Sequence, residues 1–578
     1  MNFDLTRISY GRRGSRLHLS AWKVGEYDQL YLCGLYAGLD MGWANTEGRT
    51  QGRLFPIYLQ KDGEKLPYTA TGTVSGVLLE TESGSARLCL QKGEILRVEA
   101  QGVEVVIAPE LAPHEIAKDR NDGSWEVCMS PVPKILFYPI KGKLEPEASF
   151  DVTTSTPGAT RMVFKADGEE ALDFAVHVYM SGGRPLEKYP SFDQCVKEME
   201  EEFLDYLKTV PALPAKWDRE RKLAAYLVWS HIMKVEDFEV VYMNKGIHKA
   251  AFSWQQSYQA MGQYLNPKLA WHFLSSMFYF QDDFGMLPDN VNDITQVYNG
   301  TKPPIQGLAF RFLRDFMDFD FVPYREYRDA YEGLARSVYW WLSYRDTDDD
   351  GLAQFDAADE SGWDDCSMFR EGAPIATPDL AAYLIVAMDS LSEMAHHLGK
   401  TYEEREWKEK ADRMTNQMIP FFWNGQEFVG RMNGTHKEVP CMSVTKFLPM
   451  ILGDRLPQEI RDKMVEDLKQ ENGWLTPYGL AGEHLESPVF KEVGWLGGPI
   501  LAPAQLMICL GLRQCGELEL ARTITERYCE ALSKSNFAMI MSAKTGKDVS
   551  EGRWSTKYPN RMSWTALVFL VLGSLFLK

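Results

Sequence analysis

The hydrophobic period of this chain changes once, near residue 190, and that switch restricts the possible folds more than any single motif. Before it, short apolar runs alternate every second residue. In ILRVEAQGVEVVI (95–107), Leu96, Val98 and Ala100 alternate with Arg97, Glu99 and Gln101, the pattern of a half-buried strand. Further runs at Val77–Thr81, Ala86–Leu90, Lys134–Tyr138, Arg161–Lys165 and Phe174–Tyr179 are separated by turn residues such as Lys61–Gly63 and Asp119–Gly123. Many short strands at this spacing predict an antiparallel β-sandwich over 1–185. A charged amphipathic helix over 192–209 and the segment PALPAKWD form a linker, 186–216. From 217 to 578 the period is helical, with helices expected over 217–235, 253–265, 267–281, 304–319, 325–344, 378–398, 402–422, 442–452, 456–469, 500–516, 518–533 and 562–577. A dozen helices joined by turns make an α-hairpin array. Periodicity alone leaves a closed (α/α)6 barrel and an open solenoid both available.

A length of 578 residues is too much for one hydrophobic core, in keeping with two domains. The net charge of −19 argues against nucleic acid and anionic membrane surfaces as partners and favours a small neutral ligand. Nine scattered cysteines without a CxxC pair suggest neither a disulfide framework nor a structural zinc site, so reduced thiols in a cytoplasmic protein are expected. The first residues lack a signal pattern, and the apolar stretch Trp564–Leu577 is too short to span a bilayer; a buried helix is expected there. Of the sixteen tryptophans most are expected to fill the core, while a minority could serve as platforms for pyranose faces.

The long connections are the chemically informative part: Tyr242–Phe252, Gln281–Pro304, Arg345–Ile375, Gly473–Pro499 and Phe537–Arg561, all rich in Trp, Asp, Glu, Asn and Gly. The densest is RDTDDDGLAQFDAADESGWDDCSMFR (345–370), whose crowded carboxylates repel one another unless a cation or a catalytic task uses them. Asp346, Asp348 and Asp350 have the alternate spacing of a Ca2+ loop, but the twelfth position is Ala357, so an EF-hand is excluded. A non-EF structural Ca2+ and simple helix capping both remain open. No cofactor is required by the pattern: HExxH, GxxxxGK(S/T) and GxSxG are all missing.

Glu360-Ser361-Gly362-Trp363-Asp364 resembles the E-S-G-x-D signature of clan G glycoside hydrolases, the trehalases, family 63 α-glucosidases and mannosylglycerate hydrolases. Other segments are similar in the same order. Gln281–Pro288 resembles the Q-x-x-x-G-x-(I/L)-P segment, Lys302–Gln306 the (S/T)-x-P-P element, and Arg345–Leu352 the R-D-x-D-x-D/N-G-L loop. Gly498-Pro499-Ile500 and Met562–Ala566 also match, so the resemblance covers about 217–578. It implies an inverting, exo-acting hydrolase of an α-linked disaccharide or small α-glucoside. In such an enzyme one carboxylic acid protonates the leaving oxygen while a second carboxylate activates water. Asp364 matches the acid.

The chain departs from the family at three places. Aligned on Thr545-Gly546, the base position is Met539; Gln255 replaces the Asp of W-x-W-D; and Trp495-Leu496-Gly497-Gly498-Pro499 lacks the Arg of W-R-G-P. Three readings follow. Glu551, in the same loop, replaces the base. Alternatively phosphate or a substrate hydroxyl is the nucleophile of an inverting phosphorylase or transferase, for which Lys544, Lys547, Arg553, Lys557 and Arg561 supply cations. Or catalysis is lost and a carbohydrate-binding relative remains. The expected pocket comprises Trp254, Gln255, Gln306, Glu360, Trp363, Asp365, Trp495 and Trp554 around Asp364 and Glu551.

Overall fold

The computed structural model describes residues 1–24, 27–34, 55–129, 133–168, 171–246, 249–550 and 559–577. Two antiparallel sheets make the N-terminal sandwich. One orders its strands 2–3, 69–73, 77–80, 85–91, 95–101, 172–179, 134–141, 125–128 and 116–119; the other runs 143–147, 161–165, 104–107, 55–61, 27–33, 18–24 and 10–11. Leu96 and Val98 pair with Val176 and Phe174, placing the apolar set of neighbouring strands on one face. Between the sheets the rings of Phe164 and Phe174 stack at 3.6 Å. The alternation in 95–101 is correct for Leu96, Val98 and Ala100, yet Arg97 is also fully buried. Its guanidinium grips Asp173 at 2.8 and 2.9 Å and donates to the carbonyl of Pro190, because helix α1 (Phe192–Leu207) covers the outer face of this sheet.

The helices after α1 are α2 (Asp218–Trp229), α3 (Ser253–Gly262), α4 (Pro267–Tyr279), α5 (Gln306–Arg314), α6 (Tyr324–Tyr344), α7 (Pro378–His397), α8 (Thr401–Phe422), a 3-10 stretch (Val444–Arg455), α9 (Gln458–Leu468), α10 (Ala502–Gln514), α11 (Leu518–Lys534) and α12 (Ser563–Phe576). α3, α5, α7, the 3-10 stretch, α10 and α12 each pack on the next, and α12 packs back on α3. That contact closes the ring, so the array is an (α/α)6 barrel rather than an open solenoid. α2, α4, α6, α8, α9 and α11 lie outside it. Inner members such as α3, α10 and α12 are buried around their whole circumference, as a helix enclosed on all sides must be. The apolar stretch from Trp564 is accordingly an inner helix, and no described helix is long and apolar enough to cross a membrane.

Two expected helices differ. Residues 232–235 and 238–241 form a β-hairpin instead of extending α2, since Ile232, Val235, Val240 and Val241 are β-branched and Glu236 turns the chain with a positive φ of 51°. The expected helix 442–452 is 3-10, with Pro449 removing one backbone donor and Gly453 breaking the geometry (φ 55°).

Close ring contacts depend on glycine. A Cβ at Gly307 would lie 2.4 Å from the Cα of Ala387, backbone that cannot step aside. Gly307→Ala gains about 1 kcal/mol of helix propensity but overpacks α5 against α7 at a cost of about 1–3 kcal/mol. The backbone contact places this substitution at the upper end of that cost, so a net destabilisation is expected in urea melts.

Sandwich and barrel share a polar seam. Arg13 pairs with Glu239 at 2.5 Å, and Arg16 pairs with the buried Asp293 at 2.9 Å. Lys245 donates to the carbonyls of Arg12 (3.1 Å) and Ser15 (2.6 Å), and burial pulls its ammonium down to about 7.

Candidate active site

Every inner helix starts at the same end of the ring, and the long connections all lead into those starts. The return turns are short: 263–266 joins α3 to α4, and 398–400 joins α7 to α8. One mouth of the barrel is therefore built from six connections, the five long loops and 423–443, and the five long loops are stitched together. The N–H of Ser253 donates to the carbonyl of Asp289 (3.0 Å). Lys302 Nζ reaches Asp289 Oδ1 (3.2 Å) and Asp359 Oδ2 (2.8 Å). Asp365 accepts from the N–H groups of Trp495 (3.0 Å), Leu496 (2.7 Å) and Gly497 (2.9 Å). Ser542 Oγ donates to Glu492 Oε1 (2.7 Å), and Asn244 Nδ2 donates to the carbonyl of Arg561 (2.7 Å).

The 360–365 segment is held from beneath. Gly362 has φ 72°, and its Cα faces the ring of Trp254; a Cβ there would meet Cη2 at 2.7 Å. Glycine is required at this position on both counts. Trp363 is fully buried below the bend. Glu360, 4% exposed, gives both carboxylate oxygens to Arg345 at 2.6 and 3.0 Å and also accepts from the N–H of Asp356. Arg345 also pairs with Asp356 and lies over the ring of Trp340 at 5.0 Å. Glu360 and Asp365, both expected to touch a ligand, are thus occupied with holding the loops together.

Asp364 is half-buried, and burial is the main reason its carboxyl rises to about 7. Repulsion from Asp359 and Asp365 adds to the rise, and the Lys302 ammonium opposes it. A carboxyl in this range is neutral at mildly acidic pH and can donate a proton. Asp379, in the first turn of α7, is likewise raised by burial to about 6, against the lowering effect of the polar groups at the start of its helix.

Trp254 and Gln255 begin α3, and Gln306 begins α5. The carboxamides of Gln255 (1% exposed) and Gln306 (2%) have no hydrogen-bond partner at either terminal atom. A buried amide left unpaired costs about 1–3 kcal/mol, so two at one mouth mark a surface made for a polar ligand. Trp495 stacks on Trp564 at 5.9 Å, and Trp254 meets Trp564 edge-on at 5.9 Å. Trp564 is a member of this cluster that sequence reasoning did not single out. Its position as second residue of α12, matching Trp254 as second residue of α3, was the available signal.

The departures from the family pattern are also placed. Met539 is buried at 2% exposure, and Leu496 is buried in the loop that Asp365 pins. Glu551 and Trp554, with Arg553 and Lys557, lie outside the described residues. Of the remaining cations of that loop, Arg561 is buried and bonded to Asp548 and to the carbonyls of Ser535 and Asn536, while Lys544 lies over the ring of Phe490 at 5.1 Å.

In the aspartate-rich loop, Asp346 is spent on the N–H groups of Asp350 and Gly351. Asp348, Asp350 and His436 bring three ligand atoms within 4.8 Å of one another. Two carboxylates and an imidazole suit a transition metal better than Ca2+, which takes six to eight oxygens.

The family profile of the mannosylglycerate hydrolase MGH1-like glycoside hydrolase domain matches residues 248–564, more than half of the chain. No curated protein sequence matches it. Among solved structures, the GH63 mannosylglycerate hydrolase from Thermus thermophilus in complex with Tris is 16% identical at a TM-score of 0.53, covering 60% of this chain and 98% of that one. Its complex with Tris and D-glycerate gives 17% and 0.52, covering 61% and 99%, and its glucose complex gives 17% and 0.51 with the same coverage. At these identities the likeness speaks to the fold alone. Together with the profile match over the barrel, the closed ring of six α-hairpins shows that this chain belongs to the MGH1-like glycoside hydrolases, within the six-hairpin enzymes of clan G.

Proposed function

We propose that the protein is an inverting, exo-acting glycoside hydrolase of an α-linked disaccharide or small glycoside, with glucose as the transferred sugar. The observation that carries this reading is Asp364: a half-buried carboxyl at the barrel mouth, raised to about 7, beside loops that hold it without consuming it. In its neutral form it protonates the glycosidic oxygen while water attacks the anomeric carbon from the opposite face. The unpaired carboxamides of Gln255 and Gln306 support a ring of sugar hydroxyls, and the tryptophans at the mouth support its C–H face. A relative that holds glucose in one structure and D-glycerate with Tris in another is consistent with a site for one sugar and a small aglycone. Glu551 is the sequence's candidate for the water-activating carboxylate, and Trp554 for a further platform. Neither step nor binding is routed through a metal; the Asp348, Asp350 and His436 group, with Asp346 beside it, is assigned a structural role.

The test is proton NMR of the first product released from α-linked glucosyl disaccharides, with and without inorganic phosphate. Initial appearance of β-glucose, unaffected by phosphate, is expected. α-Glucose as first product would overturn inversion. A β-glucosyl phosphate would replace hydrolysis by phosphorolysis, and sugar binding without turnover on any substrate would leave a binding protein.

A further inference from the structure

In the inner ring, α7 and α12 are diametrically opposed, with α3 and α5 between them on one side and the 3-10 stretch and α10 on the other. Asp364 lies in the loop entering α7, so a carboxylate acting on water from the far side of a sugar should come from the loop entering α12. That loop has Met539 at the matching position. Three residues further on, the buried Ser542 accepts from the N–H groups of Lys544 and Thr545 (3.2 Å each) and turns its single hydroxyl proton onto Oε1 of Glu492, 2.7 Å away. Glu492 is half-buried and belongs to the loop entering α10. A backbone pairing of Ile500 with Met541 clamps these two loops together, and Asp365 ties Trp495, Leu496 and Gly497 to the residue that follows Asp364.

Four other carboxylates among the described residues of the mouth are already engaged. Glu483 accepts from the Ser367 N–H (3.1 Å) and from Ser487 Oγ (2.8 Å). Asp289 is held by Lys302 and Asn290, Glu360 by Arg345, and Asp365 by three N–H groups. Glu492 is fixed at Oε1 by Ser542, which orients the carboxylate.

From this juxtaposition, and resting on the hydrolase reading above, we infer that Glu492 is the general base, supplied from the α10 loop and oriented by Ser542 in place of a carboxylate at position 539. Oε2 of Glu492 takes a proton from water as the water oxygen bonds to the anomeric carbon. The bond from that carbon to the leaving oxygen breaks with its electron pair on the oxygen, which receives the proton of Asp364. Solvent exchange then returns Asp364 to its neutral form and Glu492 to its charged form. Ser542 is a positioning residue.

The experiment uses the full chain with 4-nitrophenyl α-glucoside, whose leaving group needs little acid assistance but whose attacking water still needs a base. Glu492→Ala should lower kcat on the order of 10²–10⁴-fold with little change in KM. Sodium azide should restore turnover and yield β-glucosyl azide. Ser542→Ala should lower kcat by a smaller factor and move the acidic limb of the kcat–pH profile, a change that mere loosening of the loop would not produce. Circular dichroism establishes that each variant is folded. Azide rescue of Glu551→Ala, without rescue of Glu492→Ala, would overturn the assignment. Undiminished kcat in Glu492→Gln would do the same. Retained turnover in Asp364→Asn on a disaccharide would instead overturn the hydrolase reading itself, so the two failures are distinguishable.

Discussion

Asp364→Asn is expected to reduce disaccharide turnover by about 10²–10⁴-fold while sugar binding stays measurable. The loss should be smaller for an aryl glycoside, because a phenolate leaves without full protonation. In the unsubstituted enzyme kcat should decline as pH rises through about 7, where the acid loses its proton, and this limb should vanish in the variant. The same substitution carries a stability signature of opposite sign. The folded carboxyl sits near 7 against a reference of 3.8, so the native state binds its proton more tightly than the unfolded chain. That stabilisation is complete below pH 4, declines steadily as pH rises from there, and is fully lost once pH has passed 7, where the native state must hold a buried charge. Asparagine removes the charge, so at pH 8 the variant should be more stable than the parent by up to about 4 kcal/mol. Thermal melts at pH 4 and pH 8 check this: a gain that is absent at the lower pH and full at the higher is expected, and equal melting shifts at both values would show that burial does not perturb the group.

The second large effect is structural. Arg345→Met should destabilise the barrel by about 3–5 kcal/mol, because it leaves the Glu360 carboxylate buried at 4% exposure without its cation. Deleting both charges together, as Arg345→Met with Glu360→Gln, should recover much of that loss, giving a coupling energy well above the few tenths of a kcal/mol expected for independent sites. Urea midpoints of the barrel transition supply all four corners of the cycle. An Arg345→Met loss below about 1 kcal/mol would place the pair in the category of exposed ion pairs and remove its role in fixing the 360–365 bend.

Much of the architecture was legible because it depends on local chemistry. The period switch near 190 reflects residues that pack on a pleated sheet before it and on helix faces after it. The long loops stood out because polar and aromatic residues gather where backbone is not satisfied by regular structure. What was not legible depends on contacts between distant segments. Arg97 read as an outward residue of an alternating strand, and only the packing of α1 onto that face explains its burial with Asp173. Closure of the ring rests on α12 meeting α3, which no period encodes. Glu360 and Asp365 read as ligand contacts because carboxylates in such a loop carry chemistry. Their partners, Arg345 and the 495–497 backbone, become visible only in three dimensions. Glu492 was missed for the same reason: it is fifty residues away from Ser542, the group that orients it.

The last inner helix to be made is also the one that completes the circle, and this sets a temporal order. A chain growing from its N-terminus can assemble the sandwich and the earlier hairpins in turn, since each has a neighbour already present. The seat for α12, where Leu567 fits over Gly262, stays vacant until the 14 residues of that helix have left the ribosome. Until then the apolar flanks of α3 and α10 have no cover, and the mouth lacks Trp564. The nascent protein therefore has most of its mass folded before it has a binding site, and premature termination just upstream of Ser563 yields a sticky open arc rather than a weaker enzyme.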